Sequence, residues 1–315
     1  MNKTVKEIAE LLLSFPEITL ITHVRPDGDT LGSAYALFHA LTKKGKSVQV
    51  VCDSEISPRY RFLSDGLTSI KNECRGAIVC VDVAAPGMAG KSYASFAENA
   101  DVVIDHHPTN SGYGKANLVR DDAAACGEVI YDIIAYMDVM DSTIADCLYT
   151  AISTDTGCFV YDSTSSYTHK VASALIDAGA DTAKLNKLLF RTKSSASFEI
   201  ERRALESLQY FHDNSIVCMI IKSSWIKELS ATEDDIEGLS SIPVRIEGVQ
   251  ASATFRQVGE NEYKLSVRTN GIVDASAVCK SFGGGGHKMA AGCTMVGDYD
   301  ELKQIMADKL YEGIK

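Results

Sequence analysis

The sequence predicts an α/β protein of two domains, with an N-terminal parallel sheet covered by helices on both faces and a smaller α/β domain beyond a connecting helix. Three observations predict it. In the first third of the chain, apolar segments of strand length alternate with helical patterns; strands that read as continuous apolar runs between helices are those of a parallel sheet buried on both faces. The chain has 315 residues, 45% of them hydrophobic, enough for a sizeable core and long enough to favour two domains over one. Finally, its character changes twice, becoming mainly helical after Asn110 and strand-rich again beyond His212.

Taken in order, MNKTVKEIAELLLSF reads as an amphipathic helix rather than a signal peptide. EITLITHV is a strand, followed by a helix from about Thr30 to Lys44. SVQVVCD, GAIVCVDVA and DVVIDHH continue the sheet. GEVIYDIIAYMDVM, TIADCLYTAIST and YTHKVASALIDAG have helical periodicity. SASFEIERRALESLQYFH reads as a polar-faced helix, and 191–212 is expected to link a first domain, 1–190, to a second, 213–315. There NSIVCMIIK is a strand, VQASATFRQ and EYKLSVRTN form a hairpin about GEN, and DYDELKQIMADKLYEGI is a closing amphipathic helix. Trp225, the single tryptophan, has a packing role between strand and helix.

Composition excludes several classes of function. The apolar runs are far shorter than the roughly 20 residues of a membrane span, so the chain is expected to be soluble and cytoplasmic, with no membrane partner. The nine cysteines include no CxxC pair and sit mostly in apolar contexts, as free thiols do in a reducing compartment. A net charge of −11 argues against a protein that coats long duplex nucleic acid, although one local pocket can still take a short anion.

In an open parallel sheet, functional groups collect just past the carboxyl ends of the strands. Four clusters fit that position: HVRPDGD with His23, Asp27 and Asp29; Asp82 in IVCVDVA; Asp105, His106 and His107 in VVIDHHPT; and Asp155 in AISTDTGCF. Each alone reads equally as a cap, a turn or a satisfied core histidine. Five carboxylates converging on one crevice would repel each other and lose hydration at a cost of several kcal/mol unless cations neutralised them. Carboxylate with some imidazole and no thiolate suits Mn²⁺ or Mg²⁺ better than zinc, and imidazole favours manganese. His23, Asp27, Asp29, Asp82, His106 and Asp155 are enough for two ions if one carboxylate, most plausibly Asp82, bridges them. A pair of ions about 3.5–4 Å apart stabilises both the attacking and the leaving oxygen of a phosphoryl displacement.

HVRPDGDTLGS, the lone Asp82, DHH at 105–107 and STDTG around Asp155 resemble, in order and approximate spacing, the four motifs of the DHH phosphoesterase superfamily. FGGGGHKMAAG at 282–292 resembles the glycine-rich signature of the DHH-associated C-terminal domain. The resemblance spans nearly the whole chain, and its length and lack of extra segments look most like the oligoribonuclease and pAp phosphatase branch. It implies one ion on His23, Asp27 and Asp82 and another on Asp29, Asp82, His106 and Asp155. His107 would face the substrate phosphate and Asp105 would orient an imidazole.

A run of four glycines lets backbone amides approach and cradle an oxyanion. His287 and Lys288 follow it, and the preceding hairpin carries Arg256 and Arg268, whose forks suit phosphate. With the role that the resemblance implies for this domain, Gly284, Gly285, Gly286, His287 and Arg268 are expected to bind substrate, with Arg256 as a further candidate. In relatives this domain closes over the metals and grips the nucleotide. The resulting expectation is a two-metal hydrolase that degrades short single-stranded RNA of a few nucleotides to mononucleotides and removes phosphate from pAp. A phosphodiesterase for cyclic di-AMP or pApA, a manganese pyrophosphatase and a non-catalytic nucleotide-binding module are the alternatives. A homodimer is a further expectation, from relatives and from the apolar N-terminal helix.

Overall fold

Short runs rich in β-branched residues, such as EITLI and AIVCV, extend because such side chains pack well on a pleated surface. The computed structural model describes residues 2–64 and 73–314. Its Cα positions divide into two compact units, Met1–Thr192 and Lys193–Lys315. Among the described residues of the first, β1 (Glu17–Ile21), β2 (Ser47–Val51), β3 (Ala77–Val81), β4 (Val102–Asp105) and β5 (Ala116–Val119) form one sheet in the order β2-β1-β3-β4-β5. Every pairing is parallel, with Ile18 opposite both Val48 and Ala77. The strand order reverses between β1 and β3, so a crevice opens there at the carboxyl ends.

The period of two divides the side chains cleanly between the faces. Ile18, Leu20, Val79, Val81, Val102 and Ile104 enter the larger core, while Ile21, Val51, Cys80 and Val103 enter a smaller one with Tyr93 and Ala97. The larger core is covered by α1 (Val5–Ser14), α2 (Gly28–Lys43), α3 (Cys126–Met137) and α4 (Ser142–Asp155). Ile8, Ala9 and Leu12 of α1 are buried in this core. The apolar stripe that suggested a dimer surface is thus consumed within the unit. β5 departs from the expectation of a helical stretch after Asn110. Its four residues, ANLV, show no alternation long enough to announce a strand, and it forms because β4 offers it an edge.

In the second unit, β6 (Gln209–Phe211), β7 (Ile216–Ile221), β8 (Ala251–Gln257), β9 (Glu262–Thr269), β10 (Gly285–Gly286) and β11 (Ala290–Val296) form a mixed sheet ordered β10-β11-β9-β8-β7-β6. Only β7 and β8 run parallel among these described strands. The helix expected as a linker is α5, Ser195–Glu206; it ends before 209, where the chain turns into β6. It buries Ile200 and Ala204 against Met219, Ile221 and Leu239 of its own unit. The closing helix α6 (Tyr299–Glu312) buries Met306, Ala307 and Leu310 with Ile216, Cys218 and Phe255. No helix among the described residues is long and apolar enough to cross a membrane, and all nine cysteines are free.

Candidate metal centre

The loop after β1 and the start of α2 carry the first donors. Asp27 is the N-cap of α2, its Oδ1 accepting from the amides of Asp29 and Thr30 at 3.0 and 3.1 Å, and the same oxygen lies 3.5 Å from His23 Nε2. Asp27 thus caps α2 and faces His23 with the same oxygen. Asp82, just past β3, has φ +59, a left-handed backbone that is strained for a residue other than glycine. That turn aims a buried carboxylate into the crevice. Its Oδ2 lies 3.7 Å from His23 Nε2, while Oδ1 lies 3.7 Å from His106 Nε2 and 3.4 Å from His107 Nδ1.

Two groups of donors meet at Asp82. His23, Asp27 and Asp82 form one set able to hold a cation; Asp29, His106 and Asp155 form another, with His106 Nε2 3.6 Å from Asp29 and 3.5 Å from Asp155. Asp82, His106 and His107 form a third combination. The backbone partners of two imidazoles suit such a role. His23 Nδ1 lies 3.0 Å from the Val24 carbonyl and His106 Nδ1 3.2 Å from that of Ala123. A proton donated to each carbonyl leaves Nε2 with its lone pair toward the carboxylates.

Electrostatically the centre is poised for cations. Burial, together with the charges of Asp155 and Asp27, holds the Asp29 carboxyl well above the usual carboxylate range. Burial, with Asp29 and Asp27, does the same for Asp82, and burial also raises Asp155. For Asp27 burial works upward, but His23 and two amides outweigh it and the carboxyl is lowered. Asp82 Oδ1 is buried without a hydrogen-bond partner. A buried, unpartnered carboxylate oxygen among like charges is costly, and a divalent cation is what relieves it.

Asp105 serves an imidazole, and that imidazole is His107. Its Oδ1 lies 2.8 Å from His107 Nδ1 and accepts from the His106 amide at 2.8 Å; its Oδ2 accepts from Asn110 Nδ2 at 2.6 Å. The contact with Asp105 raises the His107 pKa, and Asp105 itself is lowered because His107 and Asn110 outweigh its burial. His107 Nε2 is left for a ligand.

Several contacts that hold the centre together were not legible in the sequence. Asp29 accepts from the Cys126 amide at 2.7 Å and the Gly127 amide at 2.9 Å, and so caps α3 from a distant part of the chain. The N-cap of α3 is Ala125, which cannot cap it with a side chain. A strongly periodic helix that begins AAACG without Ser, Thr, Asp or Asn was the available signal. Gly28 and Gly32 let α2 lie directly on α4: a Cβ at Gly32 would meet the Cys147 carbonyl oxygen at 2.4 Å, and one at Gly28 the Thr154 hydroxyl at 2.4 Å. That approach brings Asp155, the last residue of α4, beside Asp29.

The expected substrate residues lie in the second unit. The glycine run is ordered as a hairpin, Gly285 and Gly286 pairing with Gly292 and Ala291, and His287 and Ala290 closing the turn through mutual backbone hydrogen bonds of 2.8 and 3.2 Å. A Cβ at Gly284 would meet the Gly292 carbonyl at 2.1 Å, so packing alone requires a glycine there. His287 is exposed at the tip, and Arg268 sits on β9 opposite Ala290. The Arg268 guanidinium donates to its neighbour's carbonyl, Val267, at 3.0 Å, and burial lowers its pKa. Arg256 differs: its fork is occupied by both oxygens of Glu233.

Residues 17–152 match the model described as DHH family, N-terminal domain, and residues 213–312 match the DHHA1 domain. A bifunctional oligoribonuclease and PAP phosphatase of Thermus thermophilus is 31% identical, covering 98% of this chain and 93% of that protein. A probable bifunctional oligoribonuclease and PAP phosphatase of Streptococcus mutans is 27% identical over 96% of this chain and 98% of its own length. Among solved structures, an exopolyphosphatase-related protein from Bacteroides fragilis superposes with a TM-score of 0.88 at 21% identity, covering 98% of this chain and 95% of that one, a likeness of fold.

Proposed function

The chain belongs to the DHH family, and from that premise we propose that it is a metal-dependent phosphoesterase that hydrolyses short oligoribonucleotides to mononucleotides and removes phosphate from pAp. The substrate reading rests on the near full-length similarity to oligoribonuclease and PAP phosphatases. The observation that carries the metal reading is Asp82, whose two oxygens face different donor sets and one of which has no partner. His23 and Asp27 with Asp82 would hold one divalent cation, and Asp29, His106 and Asp155 with Asp82 a second. Carboxylate and imidazole donors fit Mn²⁺, with Mg²⁺ as the other option. Bound there, such ions supply Lewis-acid charge for a phosphoryl group and make water a competent nucleophile near neutral pH.

The chain's own groups do the rest. His107, steadied by Asp105, presents Nε2 to the phosphoryl oxygens or the leaving oxygen. Asp105 holds the ring by one oxygen and is itself held by Asn110 through the other. In the second domain, Arg268, the amides of Gly284, Gly285 and Gly286, and His287 are proposed to grip the nucleotide phosphate. Arg256, already paired with Glu233, is left out of that set.

A product time course with Mn²⁺ on pGpG, a short RNA, a long RNA, pAp and cyclic di-AMP tests this function. Rapid loss of pGpG and the short RNA, turnover of pAp and sparing of the long RNA are expected. Cleavage of cyclic di-AMP with little action on linear RNA would overturn the reading in favour of second-messenger turnover, and no activity would favour a binding module.

A further inference from the structure

The loop that follows the DHH motif encloses a cavity of about 330 Å³, lined by His107 on one side and by Asn2, Ser111, Asn117 and Asp121 among others. That volume is at the lower end of small-molecule sites. No lysine or arginine lines it. A phosphate placed there would meet no lysine or arginine, and His107 is at its edge toward the centre, so the rest of the cavity is suited to the uncharged part of a substrate.

Its walls are preformed and tied to the catalytic histidine. Asn110 donates to Asp105, the carboxylate that steadies His107, and accepts the Gly112 amide at 2.8 Å, which sets the loop's left-handed turn at Gly112, φ +70. Asn117 exchanges two hydrogen bonds with Gly114. Asn2 donates to the Val119 carbonyl and accepts the Val119 amide, so the start of the chain is fastened along β5 as one edge of the cavity. These amides are thus spent on the walls. Asp121 is exposed, and its carboxylate pairs with no other group among the described residues. It is the acidic group of the lining and a strong acceptor.

We propose that this cavity is a ribonucleoside subsite of the centre described above, in which Asp121 accepts a hydrogen bond from the ribose 2′-hydroxyl and so selects RNA over DNA. The inference rests on the phosphoesterase reading. A carboxylate reads a ribose hydroxyl in the same manner in dinucleotide folds, and the 2′-hydroxyl is the group that distinguishes the two nucleic acids. A hydrogen bond to a charged acceptor corresponds to about a 10-fold preference or more.

The test compares kcat/KM of the full chain with Mn²⁺ on a ribodinucleotide and on its 2′-deoxy counterpart, in the wild type, Asp121→Ala and Asp121→Asn. A wild-type preference for the ribodinucleotide that falls about 10-fold toward unity in Asp121→Ala, chiefly through KM, with Asp121→Asn intermediate, is expected. An unchanged ratio in Asp121→Ala, or an equal loss on both substrates, overturns the subsite while leaving the phosphoesterase standing. A wild type that cleaves neither overturns the phosphoesterase reading, and the subsite with it.

Discussion

At the scale of single residues, the centre is built from groups that would be liabilities without a cation. Asp82 combines a left-handed backbone, complete burial and an unpartnered oxygen. Asp82→Asn keeps the shape, and asparagine tolerates that backbone. We expect it to fold with equal or greater metal-free stability, yet to lose about 10²-fold or more in turnover at saturating Mn²⁺. Melting with and without Mn²⁺, alongside initial rates, measures both halves of that prediction. The titrations give a second one. Asp29, Asp82 and Asp155 are raised above their unfolded value near 4, and His23 and His107 above theirs near 6.5. In that window the metal-free fold holds more protons than the unfolded chain, so its stability falls as pH rises from about 4 through the raised values. Asp27 and Asp105 are lowered, and their contribution is already complete above pH 4. Urea melts of chelated protein between pH 5 and 8 should therefore show decreasing stability, a slope that Mn²⁺ flattens; a rise with pH in the chelated protein would contradict the assignment.

At the scale of elements, two devices position the donors. The first is the close packing of α2 on α4 across Gly28 and Gly32. Gly32→Ala presses a methyl group against the Cys147 carbonyl and forces the helices apart. A loss of roughly 1–3 kcal/mol is expected, with weaker metal binding because Asp155 withdraws from Asp29. Denaturant unfolding and a Mn²⁺ titration together read this, and a variant of full stability and unchanged affinity would refute it. The second is the relay from Asn110 through Asp105 to His107. Asn110→Ala leaves the metal donors intact and frees the Asp105 carboxylate on one side. Turnover is expected to fall about 10-fold to 100-fold with little change in Mn²⁺ affinity.

At the scale of the whole molecule, the two units have separate cores, one built on Ile18, Leu20 and Val79 and another on Ile216, Phe255 and Leu310. A chain cut to 193–315 is expected to melt cooperatively by itself and to ignore Mn²⁺, whereas the intact protein gains about 2.7 kcal/mol for each site at a Mn²⁺ concentration one hundred times that site's dissociation constant. Calorimetry of the two chains distinguishes this from a second unit that folds only on the first.

The parallel sheet, four of its five strands and the residue types of the centre were legible in the sequence. They were legible because continuous apolar runs between helical patterns and clustered His and Asp residues are local signals that survive without coordinates. Four things were decided only in three dimensions. Asp82 takes a strained backbone because β3 and β4 over-determine it, its amide bonding the Ile104 carbonyl. Asp29 caps a helix 97 residues further along the chain. ANLV becomes a strand because an edge awaits it, and Glu233 takes the fork of Arg256. Each depends on partners distant in sequence, and a hydrogen bond or a close helix approach between such partners leaves no periodic trace in either segment. Composition and spacing name the chemistry of a site, whereas the packing of elements decides which atoms are left free to perform it.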